Sequence, residues 1–195
     1  MAGFLHITFG PMFSGKTTAL LEKINNYLTF KNIKNNYSNV LIINSVLDTR
    51  KCNDFNLSTH MSSLKRNISS SNVRSLKTKE LCDIDREFIK LFDYIAIDES
   101  QFFEDLEPFV NVWLKEGKHI HCVGLIADSE KNNFGQLHKI FALADQIEQL
   151  KAYCVYCHSF TKNAVFTKWC SSKNKSSPVE IGGSDSYVPV CGKHY

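Results

Sequence analysis

Three groups of residues have types and spacings that could do chemistry. The first is the run Gly10-Pro11-Met12-Phe13-Ser14-Gly15-Lys16-Thr17, followed by Thr18, which satisfies the pattern G-x-x-x-x-G-K-[ST]. Glycines let such a run curl so that successive backbone N–H groups point inward and surround an anion. A helix beginning at its end adds partial positive charge at the same point. In this chemistry Lys16 reaches the β- and γ-phosphates of ATP, and the Thr17 hydroxyl ligates Mg²⁺. The second group is Asp98-Glu99, placed directly after the apolar run Tyr94-Ile95-Ala96-Ile97. Asp98 is suited to the metal side of a Mg²⁺–nucleotide, acting through water, which leaves Glu99 to accept a proton from an attacking hydroxyl or water. An acidic residue also suits a helix N-terminus, so the lesser alternative is that Glu99 caps a helix starting near Phe102. The third group is Cys154-x-x-Cys157 with Cys191-x-x-His194, two tight pairs with 33 residues between them. Paired knuckles of this kind suit a tetrahedral, closed, structural Zn²⁺ site. His158 and Cys170 are alternative fourth ligands.

These groups need elements to position them. Four short runs are apolar at most positions: Phe4–Phe9, Val40–Asn44, Asp93–Ile97 and Ile120–Leu125. Runs without polar alternation are expected of parallel strands covered on both faces. A fifth strand is expected at Asp145–Leu150. Apolar residues at spacings of three and four predict helices over Thr17 to about Phe30, 79–92 and 102–115. Strands alternating with helices define an α/β domain with a mostly parallel sheet. The phosphate-binding run then falls between a strand and a helix, and Asp98-Glu99 at a strand's carboxyl end, where open α/β sheets bind ligands. Residues 52–72, rich in Ser and Asn, read as a long surface loop. After about residue 150 the helical patterns stop and the cysteine pairs begin. The expected division is therefore 1–150 as the ATP-binding α/β domain of P-loop NTPase type and 151–195 as a small zinc-binding domain.

Composition narrows the function. The chain has 195 residues, 43% hydrophobic and 22% charged, with a net charge of +3. That is too apolar for a disordered chain and too charged for a membrane protein. The longest clean apolar run, around Cys122 to Ala127, is about six residues, far short of the ~20 that span a bilayer. A slight basic excess without a dense stripe argues against nucleic acid as a partner. It also disfavours the competing reading, a P-loop ATPase whose zinc ribbon binds nucleic acid. Seven cysteines, an odd number, with no secretory pattern in MAGFLHITFG, point to a reducing cytoplasm rather than a disulfide framework. His6, His119, His121 and His138 receive no role.

The motifs GPMFSGKTT, Asp48-Thr49-Arg50, Thr59-His60, DESQFF at 98–103, the two knuckles and IGGSDSY at 181–187 together resemble the type II thymidine kinases. They occur in that family's order over nearly the whole chain. The resemblance implies transfer of the γ-phosphoryl of ATP to the 5′-hydroxyl of thymidine with Mg²⁺, in nucleotide salvage, by a cytoplasmic homotetramer. It implies Glu99 as general base, and Asp48 and Arg50 as supports for Mg²⁺ and the phosphates. Gln101 and Phe102 would lie beside the nucleoside and metal, and Met12 and Leu125 would line the base pocket. It also implies a lasso between the knuckles, with Ile181, Gly182, Gly183 and Tyr187 closing over the nucleoside. One departure stands out. Ser129 occupies the position where the family stacks an aromatic on the thymine, and Phe134 is the nearby aromatic that could take its place. Such stacking contributes about 1–3 kcal/mol, so its loss would weaken thymidine binding or widen the accepted bases. It also leaves room for a degenerate nucleotide-binding subunit without kinase activity.

Overall fold

The computed structural model describes residues 2–48, 72–158, 160–170 and 185–195. The strands of the main sheet are β1 (Phe4–Phe9), β2 (Val40–Ser45), β3 (Val73–Thr78), β4 (Tyr94–Ile97), β5 (His119–Gly124) and β6 (Gln146–Gln149). Their order is β3-β2-β4-β5-β1-β6, and every pairing is parallel. The longer helices are α1 (Lys16–Ile33) and α3 (Leu106–Lys115), with a short α2 (Arg86–Lys90) between them in sequence.

The apolar strands are buried on both faces, and successive residues serve different layers. Leu5, Ile7, Leu41, Ile43, Ile95, Ile97, Ile120 and Cys122 share one layer with Leu106, Val110 and Trp113 of α3. Val40, Ile42, Tyr94, Ala96 and Val123 share the other with Leu20, Leu21 and Ile24 of α1. The carboxyl ends of β1, β4 and β5 therefore emerge side by side at one edge.

Two local expectations change. The 79–92 helix is broken into a 3₁₀ turn, Leu81–Asp83, and α2, because the Asp85 side chain accepts from Phe88 N–H (2.9 Å) and starts a new helix. The 102–115 helix likewise resolves into a 3₁₀ turn, Ser100–Phe102, followed by α3. The expected surface loop at 52–72 lies outside the described residues except for Asn72. β3 was not anticipated. It is the sheet's edge strand, and its exposed Arg74 and half-buried Lys77 hide the apolar signal.

Among the described residues of 152–195 there are two small antiparallel ladders. β7 (Ala152–Tyr153) pairs with β8 (Lys162–Ala164), and β9 (Phe166–Trp169) with β10 (Tyr187–Val190). Their buried core is Ala152, Cys154, Ala164 and Val190. Among the described residues, these four with the half-buried Phe166 and Val188 are a small core to hold such a unit without a covalent or metal staple.

Three of the histidines without a visible role, His6, His119 and His121, form a layer on the α1 face. His6 and His121 stack with ring centroids 4.2 Å apart, and His119 stacks on Tyr94 at 4.6 Å. His121 is fixed by Thr8 Oγ1 at 2.8 Å and the Tyr94 hydroxyl at 3.2 Å. His6 faces Glu148 at 3.6 Å, which in turn faces Lys23. Burial is the main cause holding His119 down to about 4, with His6 and Lys31 adding to it and Asp145 opposing. Burial also keeps His121 well below its ordinary value, reinforced by His6, His119 and Lys23. The unfolded chain protonates these rings below about pH 6.5, whereas the folded chain resists. Their contribution to stability is therefore complete above about pH 6.5 and is lost as the pH falls from there through about 4. Thermal unfolding is expected to show a melting temperature that drops over this window. His119→Phe, which keeps the ring packing, is expected to make the drop shallower.

Candidate functional site

The turn after β1 and the start of α1 form the phosphate loop. Gly15 has φ 87°, in the left-handed region that favours glycine, and Phe13 joins it at φ 63°. These left-handed residues flank Ser14 and turn the backbone into a concave cradle. The first turn of α1 has no acidic residue, so its positive end is not neutralised from within. Lys16 is buried and its Nζ donates to the Pro11 carbonyl at 2.9 Å, which folds the ammonium into the loop. Among the described residues, the buried Ser14 hydroxyl has no hydrogen-bond partner. An orphaned buried hydroxyl in a cradle of N–H groups fits a phosphate oxygen.

The carboxylates complete the edge. Thr17 Oγ1 donates to Asp98 Oδ2 at 2.9 Å, joining the loop after β1 to the loop after β4. The Asp98 carboxylate also accepts from the Glu99 N–H at 3.0 Å. A hydroxyl and a carboxylate fixed together beside a phosphate cradle are a suitable donor pair for Mg²⁺. Asp48 is buried three residues beyond the carboxyl end of β2. Arg50 lies outside the described residues.

Glu99 does not act as a side-chain cap for the turn that follows. It adopts φ 48°, ψ 44°, a left-handed conformation that costs a non-glycine residue on the order of 1–3 kcal/mol. Its Oε2 instead accepts from Gln101 Nε2 at 2.6 Å, and Gln101 Oε1 accepts from the Leu125 N–H at 2.9 Å. The backbone donor at Leu125 fixes which end of the amide is oxygen, so the NH₂ must face Glu99. A buried carboxylate oriented by a neighbouring amide can serve as a proton acceptor.

The remaining predicted residues are distributed around this edge. Phe102 and Phe134 meet edge to face at 5.7 Å, so Phe134 packs on the turn that carries Gln101. Gly135, at φ 67°, lies so close to the Gln101 backbone that a Cβ would collide with it. Met12 N–H donates to Thr167 Oγ1 of β9 at 3.0 Å, which ties the phosphate loop to the C-terminal unit. Thr167 carried no sequence signal. Tyr187 is buried in β10 with its ring on Trp169 at 5.0 Å. Ile181, Gly182 and Gly183 lie outside the described residues.

Both cysteine–histidine knuckles form the same tight turn. Cys157 N–H donates to the Cys154 carbonyl and His194 N–H to the Cys191 carbonyl. Cys154, Cys157, Cys191 and His194 each offer one ligand atom, all within 4.8 Å of one another. His194 Nδ1 is 3.4 Å from each of the three sulfurs, and the Cys157 and Cys191 sulfurs are 3.7 Å apart. Tetrahedral Zn²⁺, with bonds of about 2.3 Å to sulfur and 2.0–2.1 Å to nitrogen, would give edges of about 3.8 and 3.6 Å. The four residues fit that ion, and Cys170 is exposed and outside the cluster. Desolvation raises the Cys154 thiol, but hydrogen bonding from the Cys191 and Tyr156 backbones and from His194 and Cys157 brings it down to about 6. Asn163 Nδ2 donates to Cys157 Sγ at 3.4 Å, supporting the group from outside.

A parallel sheet with a phosphate loop after β1, buried carboxylates after β4 and a four-ligand cluster beyond the sheet defines a P-loop α/β protein with a metal-type appendage. The family model for thymidine kinase matches residues 3–195. A thymidine kinase of Amsacta moorei entomopoxvirus is 36% identical over 189 residues, 96% of this chain and 94% of the viral protein. One from variola virus is 32% identical over 196 residues, 99% of this chain and 97% of that protein. One from Oryza sativa is 34% identical over 194 residues, covering 99% of this chain and 66% of the plant protein. The chain belongs to the thymidine kinase family.

Metal analysis of the purified protein is expected to give about one zinc per chain. Cys191→Ser should lower that content and loosen the backbone of 152–170 and 187–195 in hydrogen exchange, with β1–β5 still protected. Unchanged protection of those segments without zinc would contradict a stapling role.

Proposed function

We propose that this chain phosphorylates thymidine at its 5′-hydroxyl with the γ-phosphoryl of ATP, giving thymidine 5′-monophosphate and ADP for nucleotide salvage and DNA precursor synthesis. The observation that carries this reading is the Thr17–Asp98 hydrogen bond. It sets the phosphate loop against a carboxylate whose neighbour, Glu99, is held by Gln101.

In this reading the backbone of Gly10 to Thr17 and the Ser14 hydroxyl bind the β- and γ-phosphates, and Lys16 offsets their charge. Thr17, Thr18, Asp98, Asp48, Arg50 and Gln101 surround the metal–nucleotide. Thr17 and Asp98 would hold Mg²⁺ with ATP, and the ion would supply positive charge against that developing on the phosphates. Glu99 accepts the 5′-hydroxyl proton as the oxygen–phosphorus bond forms and the bond from Pγ to the β-phosphate oxygen breaks, leaving ADP. Met12, Phe102, Leu125, Phe134 and Tyr187, with the Ile181–Gly183 stretch, would surround the nucleoside. We assign residues 1–150 to ATP and catalysis, and 151–195 to a zinc-pinned unit that closes over the base. Zinc in the Cys154, Cys157, Cys191, His194 cluster would supply fixed geometry, not a reacting group.

Family membership supports a homotetramer. The unpaired described cysteines suit a reducing cytoplasm. Among the described residues no helix is long and apolar enough to cross a membrane.

With ATP and Mg²⁺, a panel of thymidine, deoxyuridine, deoxycytidine and deoxyguanosine is expected to yield thymidine 5′-monophosphate. Turnover of bases beyond thymine is expected if Ser129 has removed a stacking contact. Glu99→Gln should cut turnover by roughly 10²–10⁴. A wild-type rate in that variant would remove Glu99 from the proton transfer.

A further inference from the structure

Residues 126–135 form a closed tongue. Its ends are joined by Phe134 N–H to the Ile126 carbonyl at 3.0 Å and by a bridge between Ala127 and Asn133. Its tip is wound around Asp128, whose carboxylate accepts from the backbone N–H groups of Glu130 (2.8 Å) and Asn132 (2.9 Å). Lys131 sits at the tip with φ 65°. The base of the tongue presses on the carboxylate site, with Phe134 against Phe102 and Gly135 against the Gln101 backbone.

The tip is gripped from the other side by the C-terminal unit. Tyr195 Oη donates to the Ser129 carbonyl at 2.7 Å. Lys131 Nζ lies 3.6 Å from the Tyr195 ring centroid and 4.3 Å from that of Phe166, and these two rings contact each other edge to face. Tyr195 directly follows His194, and Lys168 Nζ donates to the His194 carbonyl at 3.2 Å. The grip thus starts one residue from the metal-type cluster and ends at the turn that orients Glu99.

We propose that Tyr195 and Lys131 are positioning residues, forming a clamp through which the zinc-binding unit holds the 126–135 tongue against Gln101 and Phe102 and so shapes the nucleoside side of the site. The clamp acts on Ser129 through its main chain. The inference rests on the nucleoside-phosphorylating reading and on zinc in the four-residue cluster.

The test uses the full-length, zinc-loaded protein. Tyr195→Phe removes one hydroxyl and keeps the ring. It is expected to raise the KM for thymidine by roughly two- to tenfold, the loss of one neutral hydrogen bond. Lys131→Met is expected to raise it roughly two- to fivefold through the lost cation–ring contact, and Lys131→Arg to restore it. The KM for ATP and the zinc content should not change in any of these variants. Independently of activity, hydrogen exchange at 126–135 is expected to accelerate in Tyr195→Phe, in Lys131→Met and in zinc-stripped wild type. Unchanged exchange there, or equal shifts in both KM values, would overturn the clamp. If wild type fails to phosphorylate thymidine while exchange at 126–135 still responds, the clamp stands and the assigned reaction falls.

Discussion

The site depends on one short contact, the Thr17 hydroxyl donating to Asp98 across the carboxyl edge of the sheet. Those residues are 81 positions apart in sequence. They meet because β4 and β1 both flank β5 in a parallel sheet. Parallel order brings every strand's carboxyl end to the same edge, so loops distant in sequence converge there. Two buried layers hold the strands rigidly enough for a 2.9 Å contact to persist. Gln101 extends the same logic, since its amide is fixed by a main-chain donor at the end of β5 and in turn fixes Glu99.

The C-terminal unit solves a different problem. Among the described residues its buried core is four small or medium side chains, two of which, Cys154 and Val190, lie within or beside the ligand cluster. Hydrophobic burial on that scale does not offset the entropy of ordering even the described residues of this unit. Metal ligation can, and its geometry is transmitted outward. Thr167 in β9 meets the phosphate loop at Met12, and its neighbour Phe166 meets the tongue at Lys131. A single short strand therefore contacts both the loop after β1 and the tongue beside the carboxylates.

Much of this was legible in the sequence, and physical reasons explain the rest. β1, β2, β4 and β5 could be read because strands buried on both faces leave unbroken apolar runs. The phosphate loop, Asp98-Glu99 and the four ligands could be read because their chemistry demands particular residue types at short spacings. β3 could not, since an edge strand tolerates Arg74 and Lys77. The 79–92 segment has a helical period, but Asp85 interrupts it with a cap that the apolar pattern does not register. Thr167, Lys131 and Tyr195 are ordinary residue types that matter only through tertiary contacts, and nothing in their sequence neighbours marks them. The histidine layer was hidden for the same reason. His6, His119 and His121 find partners across β1, β4 and β5 that no local pattern reveals.

The distribution of buried charge separates the two faces of this design. On the α1 face His119 and His121 are held neutral by burial, so these rings pack as polar but uncharged matter at physiological pH. At the carboxyl edge Asp48, Asp98 and Glu99 are all buried, while Lys16 is the only buried lysine or arginine among the described residues. Gathering carboxylates in a low-dielectric edge works against stability, and proteins retain such arrangements where a ligand supplies the balancing charge. A phosphate cradle alone would call for cations, not for this acidic wall. Cradle and wall together suit a ligand that carries both signs, an anionic nucleotide bearing a divalent cation. The strained backbone at Glu99 is consistent with the same economy, since the conformation is unfavourable for the fold yet aims the carboxylate into the edge where phosphoryl transfer would occur.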